Sequence, residues 1–384
     1  MKKLFRICMR GALLMALPLM LIGCEDILGE WERPSGPVNP TPGPAPILKY
    51  LEWDGTAFVE KDIPEDAIEI TSATSSLNSD KLFVVKNDVT ITGGLNVDQD
   101  ASIILCDGAT LTINGAFKSA LSSEFLYSLT IYGQTGGTGK LVANHSEDGY
   151  NAINLLNFTL HGGEVVAKAT ELSACGIYTS NDIHIYGGKV TAEGTQKGIM
   201  IKPSGGKFYM DGGEVVATGT SYTDSEFTRG GWGINAKIIM SGGTLTATGG
   251  NSGSKTDGTV GAEGGVGING DITISGGTLN TYGGKGGNGT TTAGGGGNGN
   301  SGTLYYSGGS VIAIGGEKGT TGGGTNPNGS AISNGIQNDT ASPLSYDLVG
   351  LPVTWPATAT GTIAAGVKYS SYPADCYAAR VPHE

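Results

Sequence analysis

Positive charge is scarce in this sequence, and the shortage removes a class of partner. Lys and Arg number 23 against 35 Asp and Glu, a formal charge of −12. Discounting Lys2, Lys3, Arg6 and Arg10 of the leader takes it to −16. A surface this acidic is not expected to neutralise phosphates, so nucleic acid is excluded as a partner. Histidine is limited to His145, His161, His184 and His383, and no Ser-His-Asp arrangement can be read from them. The five cysteines form no CxxC or Cys/His spacing, so no zinc site is expected. No Asp-Asp pair occurs, and the one Asp-x-Asp, Asp98-Gln99-Asp100, reads as a polar turn. Glycosidases need paired carboxylates, one to protonate the leaving group and one to support water or attack. The Gly-rich runs lack GxxxxGK[ST], and with no Asp between 283 and 302 they lack GGxGxD as well. Helical periodicity is nearly absent.

The amino terminus states a destination. Four basic residues precede an apolar run from Gly11 to Ile22, too short to span a bilayer and readable as a secretory signal. Leu21-Ile22-Gly23-Cys24 resembles the lipobox of bacterial lipoproteins, which implies cleavage before Cys24 and its acylation. Acyl chains anchor at about 0.8 kcal/mol per buried methylene. Glu25-Asp26 and prolines at 34, 37, 40, 42, 44 and 46 follow, an extended stalk at roughly 3.1 Å per residue. The expected organisation is a signal peptide over 1–23, anchor and stalk over 24–46, an N-terminal cap over 47–92, repeats over 93–339 and a C-terminal cap over 340–384. The expected location is the outer membrane, facing the cell exterior. Cys106 and Cys175 are expected to be buried free thiols.

The 67 glycines punctuate a repeat. Its pattern is apolar, any, apolar, any, Gly-Gly, any, Val or Leu, any, Ala. It runs from Phe158 to Ala167, Ile183 to Ala192, Phe208 to Ala217, Ile238 to Ala247, Ile272 to Thr281 and Leu304 to Ala313. The second glycines fall at 163, 188, 213, 243, 277 and 309, with weaker copies through Gly139, Gly115 and Gly94. A Gly-Ile pair accompanies most copies, as at Gly176-Ile177, Gly198-Ile199, Gly233-Ile234 and Gly267-Ile268. Period-two alternation points Ile183, Ile185, Val190 and Ala192 inward. The glycines allow a bend where φ is positive or a Cβ would clash. One repeat cannot bury its apolar face alone, whereas stacked repeats can, each strand pairing about 4.8 Å above and below. The fold class expected is all-β: a single parallel β-solenoid with non-repeat caps. A β-propeller is disfavoured, because units of about 25 residues are too short for its blades.

With Leu105-Cys-Asp-Gly-Ala-Thr-Leu-Thr-Ile113 and Leu129-Thr-Ile-Tyr-Gly-Gln134 ahead of the Gly-Gly copies, the chain resembles the pectate-lyase-like right-handed β-helix superfamily over about residues 83–340. More narrowly, it is similar to bacterial surface β-helix proteins that bind carbohydrate. The resemblance implies a right-handed coil. Its lyases use Ca²⁺-binding carboxylates and an Arg or Lys base. Here Arg229 is the one arginine between Ile47 and Asp375, with no Asp cluster around it in sequence. No catalytic residue is therefore assigned and no cofactor expected, with Ca²⁺ left open.

Positions that no core needs carry the candidate ligand contacts. Before the Gly pair, or its single-Gly equivalent, stand Tyr132, His161, Tyr186 and Asp211; two residues earlier come His184 and Tyr209. Such a ladder can stack on sugar rings and bond their hydroxyls, or be ordinary cross-strand packing. Glu164, Lys189 and Glu214 alternate in sign on successive copies and read as structural. Three long inserts, Gly249 to Gly265, Gly283 to Gly302 and Gly315 to Gly329, read as tolerated low-complexity insertions or as stacked loops forming a contact surface. The function expected is non-catalytic polysaccharide binding or adhesion at the cell surface. A β-helix lyase or hydrolase of acidic glycans, and a structural or protein-binding envelope component, are the alternatives.

Overall fold

The computed structural model describes residues 48–119, 126–146, 151–203, 205–223, 226, 228–320, 326–349, 359–369 and 377–382. The chain divides into two units, Met1–Pro46 and Ile47–Glu384. The leader, Cys24 and the proline stalk lie outside the described residues.

The described chain is all strand and turn, with no helix among the described residues. It visits three long sheets in a fixed cycle. Phe158–Leu160 lies in the first sheet, Glu164–Ala169 in the second and Cys175–Thr179 in the third; Ile183–Ile185 then returns to the first. The first and second sheets have twelve strands each and the third has eight. Pairing is parallel, one cycle apart, along most of each sheet: Phe158 lies opposite Ile183, Ile183 opposite Phe208, and Phe208 opposite Ile238. Parallel pairing begins inside the expected cap, where Ile68 pairs with Phe83. Antiparallel strands end two of the sheets: Lys368–Tyr369 closes the first, and Leu344–Val349, Ala359–Ile363 and Ala378–Val381 close the second.

The alternation read from the repeat sets the core. Ile183, Ile185, Val190 and Ala192 are all buried, as are their equivalents Phe208, Met210, Val215 and Ala217 one cycle later. Like residues stack on like, so each cycle covers the apolar face of the last. Thr281 replaces the usual alanine and stays buried because its hydroxyl donates to the carbonyl of Gly299. The second glycine of each pair takes positive φ, from 75° at Gly213 to 88° at Gly309, a region closed to most side chains. Outside the core, Lys140, Glu164, Lys189 and Glu214 face each other in register. Lys140–Glu164 and Lys189–Glu214 each form an ion pair of 3.2 Å, and Lys168–Glu193 one of 3.3 Å. The alternating signs are a charge ladder on the second sheet.

The glycine-rich inserts are neither loose loops nor a β-sheet. Each runs out as an extended leg and returns as another, and the legs pack backbone against backbone. Gly250 N–H donates to Gly231, Gly265 to Gly250, Gly284 to Gly265, Gly297 to Gly284, Gly316 to Gly297 and Gly329 to Gly316, all at 2.7–2.9 Å. A second relay lies three residues along, through Gly253, Ala262, Gly287, Gly294 and Gly319. A third set joins equivalent legs of successive inserts: Gly283, Gly286 and Gly289 donate to Ile314, Glu317 and Thr320. Donors therefore recur every three residues, the repeat of a polyproline II helix. Glycine is required by space, since a Cβ on Gly284, Gly297 or Gly316 would sit 1.8–1.9 Å from a neighbouring carbonyl oxygen. The two readings of these inserts as tolerated insertion or stacked loops resolve into a packed, hydrogen-bonded bundle.

Candidate functional site

The expected aromatic ladder exists, but much of it is occupied by the chain itself. Rings on the first sheet stack along the column: Tyr132 on His161 at 4.7 Å, His161 near Tyr186 at 5.0 Å, and His184 on Tyr209 at 4.5 Å with planes 9° apart. An antiparallel hairpin, Lys49–Trp53 with Phe58–Asp62, lies over the first part. Its Tyr50 ring is 4.9 Å from Tyr132, and its Trp53 stacks on Tyr186 at 6.0 Å. The Trp53 N–H donates to His161 Nδ1 at 2.8 Å, and Gln134 Nε2 donates to the Lys49 carbonyl at 2.7 Å. A Cβ on Gly187 would meet the Phe58 ring at 2.7 Å, so the repeat glycine also makes room for the hairpin. His161 is only 8% exposed.

Burial sets the chemistry of these rings. It pushes the Tyr132 hydroxyl up to about 12 and the His161 imidazole down to about 4, where Glu52 pulls upward and Lys61 downward by less. His161 is thus a neutral acceptor for the Trp53 amide. Of the six expected ligand residues, Tyr132, His161 and Tyr186 contact the hairpin. There a long-range hairpin covers residues whose local pattern reads as outward. His184 and Tyr209 remain half-buried and Asp211 exposed. Asp211 Oδ1 accepts from Ser241 Oγ at 2.5 Å. His184 and Tyr209 each use one ring face on the other.

A second constellation forms where the second sheet turns into the third. Cys175, Lys197 and Trp232 stand in register on successive cycles, each just before a Gly-Ile pair. Lys197, 9% exposed, holds its Nζ 5.2 Å from the centre of the Trp232 ring and donates to Gln196 Oε1 at 2.8 Å. A cation over an indole face is attracted by the ring quadrupole. Burial lowers the Lys197 pKa from its ordinary value, against a smaller upward pull from Cys175. A short hairpin, Ser221–Thr223 with Thr228–Gly230, places Tyr222 opposite Arg229 beside them. The first glycine-rich return leg adds Glu263 and Val266. Gln196, Lys197, Tyr222, Arg229, Trp232, Glu263 and Val266 line a cleft of about 410 Å³, with Cys175 outside it.

This cleft combines a flat indole, two cations, an amide and one carboxylate. That set suits a sugar ring, with its apolar C–H face and a rim of hydroxyls. No local spacing in the sequence joins these residues. The signal was the residue before Gly-Ile: Lys197, Trp232 and Val266 all hold that place and all line the cleft.

Asp98 and Asp100 have a structural role. Asp98 accepts from Ser76 and Asp100 from the Ser128 N–H, so the Asp-x-Asp ties successive cycles together. Cys106 and Cys175 are free and buried, and burial pushes the Cys175 thiol up to about 11. Among the described residues, no group of three or more His, Cys, Asp or Glu could hold a metal ion. No protein-family model, curated protein or solved structure matches the chain.

Proposed function

We propose that this chain is a cell-surface lipoprotein whose exported part is a right-handed β-helix that binds polysaccharide without cleaving it. The three-sheet cycle supports the coil, and its hand follows the preference of parallel crossovers, right-handed in about 98% of cases. The lipobox-like leader and the proline stretch support the anchor and stalk. The observation that carries binding is the cleft holding Trp232, Lys197 and Arg229 around space for a sugar unit. Among the described residues its lining includes one carboxylate, Glu263, where glycosidases of the common type use two. That favours recognition over hydrolysis.

A glycan array with the full chain, followed by titration of the best ligand, tests the reading. Trp232→Ala is expected to weaken that ligand about thirtyfold, because a central Trp platform contributes about 2 kcal/mol or more to an interface. Unchanged affinity would remove the cleft from the proposal, and no binding to any glycan would remove carbohydrate altogether. Unsaturated products or new reducing ends during incubation would instead establish the lyase or hydrolase.

A further inference from the structure

We infer that a separate cleft, at the corner where the third sheet turns into the first, binds the anionic groups of a polyanionic chain through Lys202, Lys207 and Lys237. The cleft is about 330 Å³, and these three lysines line it together with Asn235 and Asn269. It does not depend on the Trp232 cleft, which lies toward the opposite ends of the same third-sheet strands, Lys197–Ile201 and Trp232–Asn235.

Charge placement carries the argument. Lys207 stands directly opposite Lys237 in the parallel register. Like charges in that position destabilise a sheet. The same chain avoids the arrangement on its second sheet, where Lys140, Glu164, Lys189 and Glu214 alternate. Here three lysines line one hollow in a protein of strongly negative formal charge. Among the described residues none of the three forms an ion pair with a carboxylate. Each acid that flanks them in the column uses one carboxylate oxygen on a backbone N–H. Asp182 Oδ1 accepts the Lys207 N–H at 2.8 Å, and Asp271 Oδ1 accepts the Thr303 N–H at 3.0 Å.

The corner column shows what the lysines displace. Asp100 accepts the Ser128 N–H, Asn157 the Asp182 N–H and Asp182 the Lys207 N–H, each side chain tying its cycle to the next. Asp271 resumes the habit toward Thr303. Lysine has no acceptor and cannot perform this role. The run of acceptors is therefore interrupted at Lys207 and Lys237, the two positions facing the cleft. Backbone geometry fixes the third lysine, whose N–H donates to the Thr179 carbonyl at 2.9 Å. Asn235 accepts from Asn269 Nδ2 at 2.8 Å, which leaves its own amide N–H groups on the cleft wall to donate. Three cations and an amide donor, with no acceptor needed, fit sulfate, phosphate or carboxylate groups spaced along a polymer.

The test uses the full chain with three probes, dextran sulfate, inorganic polyphosphate and a polyuronate, and neutral dextran of matched length as reference. At least one polyanion is expected to bind, more weakly as salt rises, and the one that binds identifies the anionic group. The variant K202Q/K207Q/K237Q is expected to lose at least tenfold in that affinity, and K202R/K207R/K237R to keep it. Circular dichroism melts report that each variant is folded. The control K61Q/K81Q/K86Q removes the same charge from lysines already paired with Glu52, Asp66 and Glu69. Binding by none of the three polyanions overturns the inference. So does affinity within twofold of the parent in the Gln variant, or an equal loss in the control, which would make the effect one of net charge. Trp232→Ala is expected to leave polyanion binding intact, which separates this site from the proposed sugar cleft.

Discussion

Gly297→Ala is expected to break the glycine bundle, while Gly295→Ala, two residues earlier, is expected to be silent. Four glycines run in succession from 294 to 297. A Cβ on Gly294 would lie 1.8 Å from the Ala262 oxygen, on Gly296 1.8 Å from the Gly316 oxygen, and on Gly297 1.9 Å from the Gly265 oxygen. On Gly295 the nearest atom is the Pro327 oxygen at 3.4 Å, an ordinary contact. The obstructing atoms belong to backbone that is itself in the relay, since the Gly265 carbonyl accepts the Gly284 N–H at 2.7 Å. Moving it to admit a methyl group forfeits that bond and disturbs the legs on both sides. Overpacking of this kind costs about 3 kcal/mol or more, whereas Gly295→Ala should fall within about 0.5 kcal/mol or stabilise slightly by restricting the unfolded chain. Hydrogen exchange of the insert amides, with denaturant melts, reads both. Equal effects from the two changes would mean that the legs do not pack as described.

Acidification is expected to loosen the Lys49–Asp62 hairpin from the aromatic ladder. Burial holds His161 down at about 4, below its ordinary 6.5, with Glu52 opposing and Lys61 adding to the shift. The neutral imidazole is the folded form, because Nδ1 must accept the Trp53 N–H. When hairpin and ladder separate, His161 regains its ordinary affinity for a proton. Below pH 6.5 the separated state therefore binds the proton that the docked state refuses, and docking weakens as pH falls. The contribution is full above about 6.5 and lost progressively toward about 4, some 3 kcal/mol over the whole window. Exchange protection of the Tyr50 to Trp53 amides between pH 7 and 4 measures it. His161→Asn keeps an acceptor near Nδ1 but does not titrate, and it should flatten the profile. The same slope in that variant, or protection independent of pH, would assign the acid response elsewhere.

Parts of the fold were legible because they depend on a local period. The buried places of Ile183, Ile185, Val190 and Ala192 follow from alternation, and the bends at Gly163 and Gly188 from the missing Cβ. The Lys/Glu ladder follows once copies are aligned. The glycine inserts have a period of their own: Gly283-Gly284-Lys285-Gly286-Gly287-Asn288-Gly289 repeats every three residues, which neither strand nor helix templates detect. For the candidate sites, the sequence supplied the aromatic residues but not their neighbours. Trp53 and His161 are 108 residues apart, and no spacing rule joins a hairpin near the start of the described chain to the middle of a repeat.

By itself, then, the sequence determined an all-β chain, which residues of the repeat face the core, and an acidic net charge. These are matters of periodicity and composition, and each is decided within one repeat. Tertiary structure alone decided which outward residues stay open. Stacking at about 4.8 Å per cycle brings together side chains some 25 to 35 residues apart. That step made a cleft of Lys197, Arg229 and Trp232, set Lys207 against Lys237, and let a hairpin close over Tyr132 and His161.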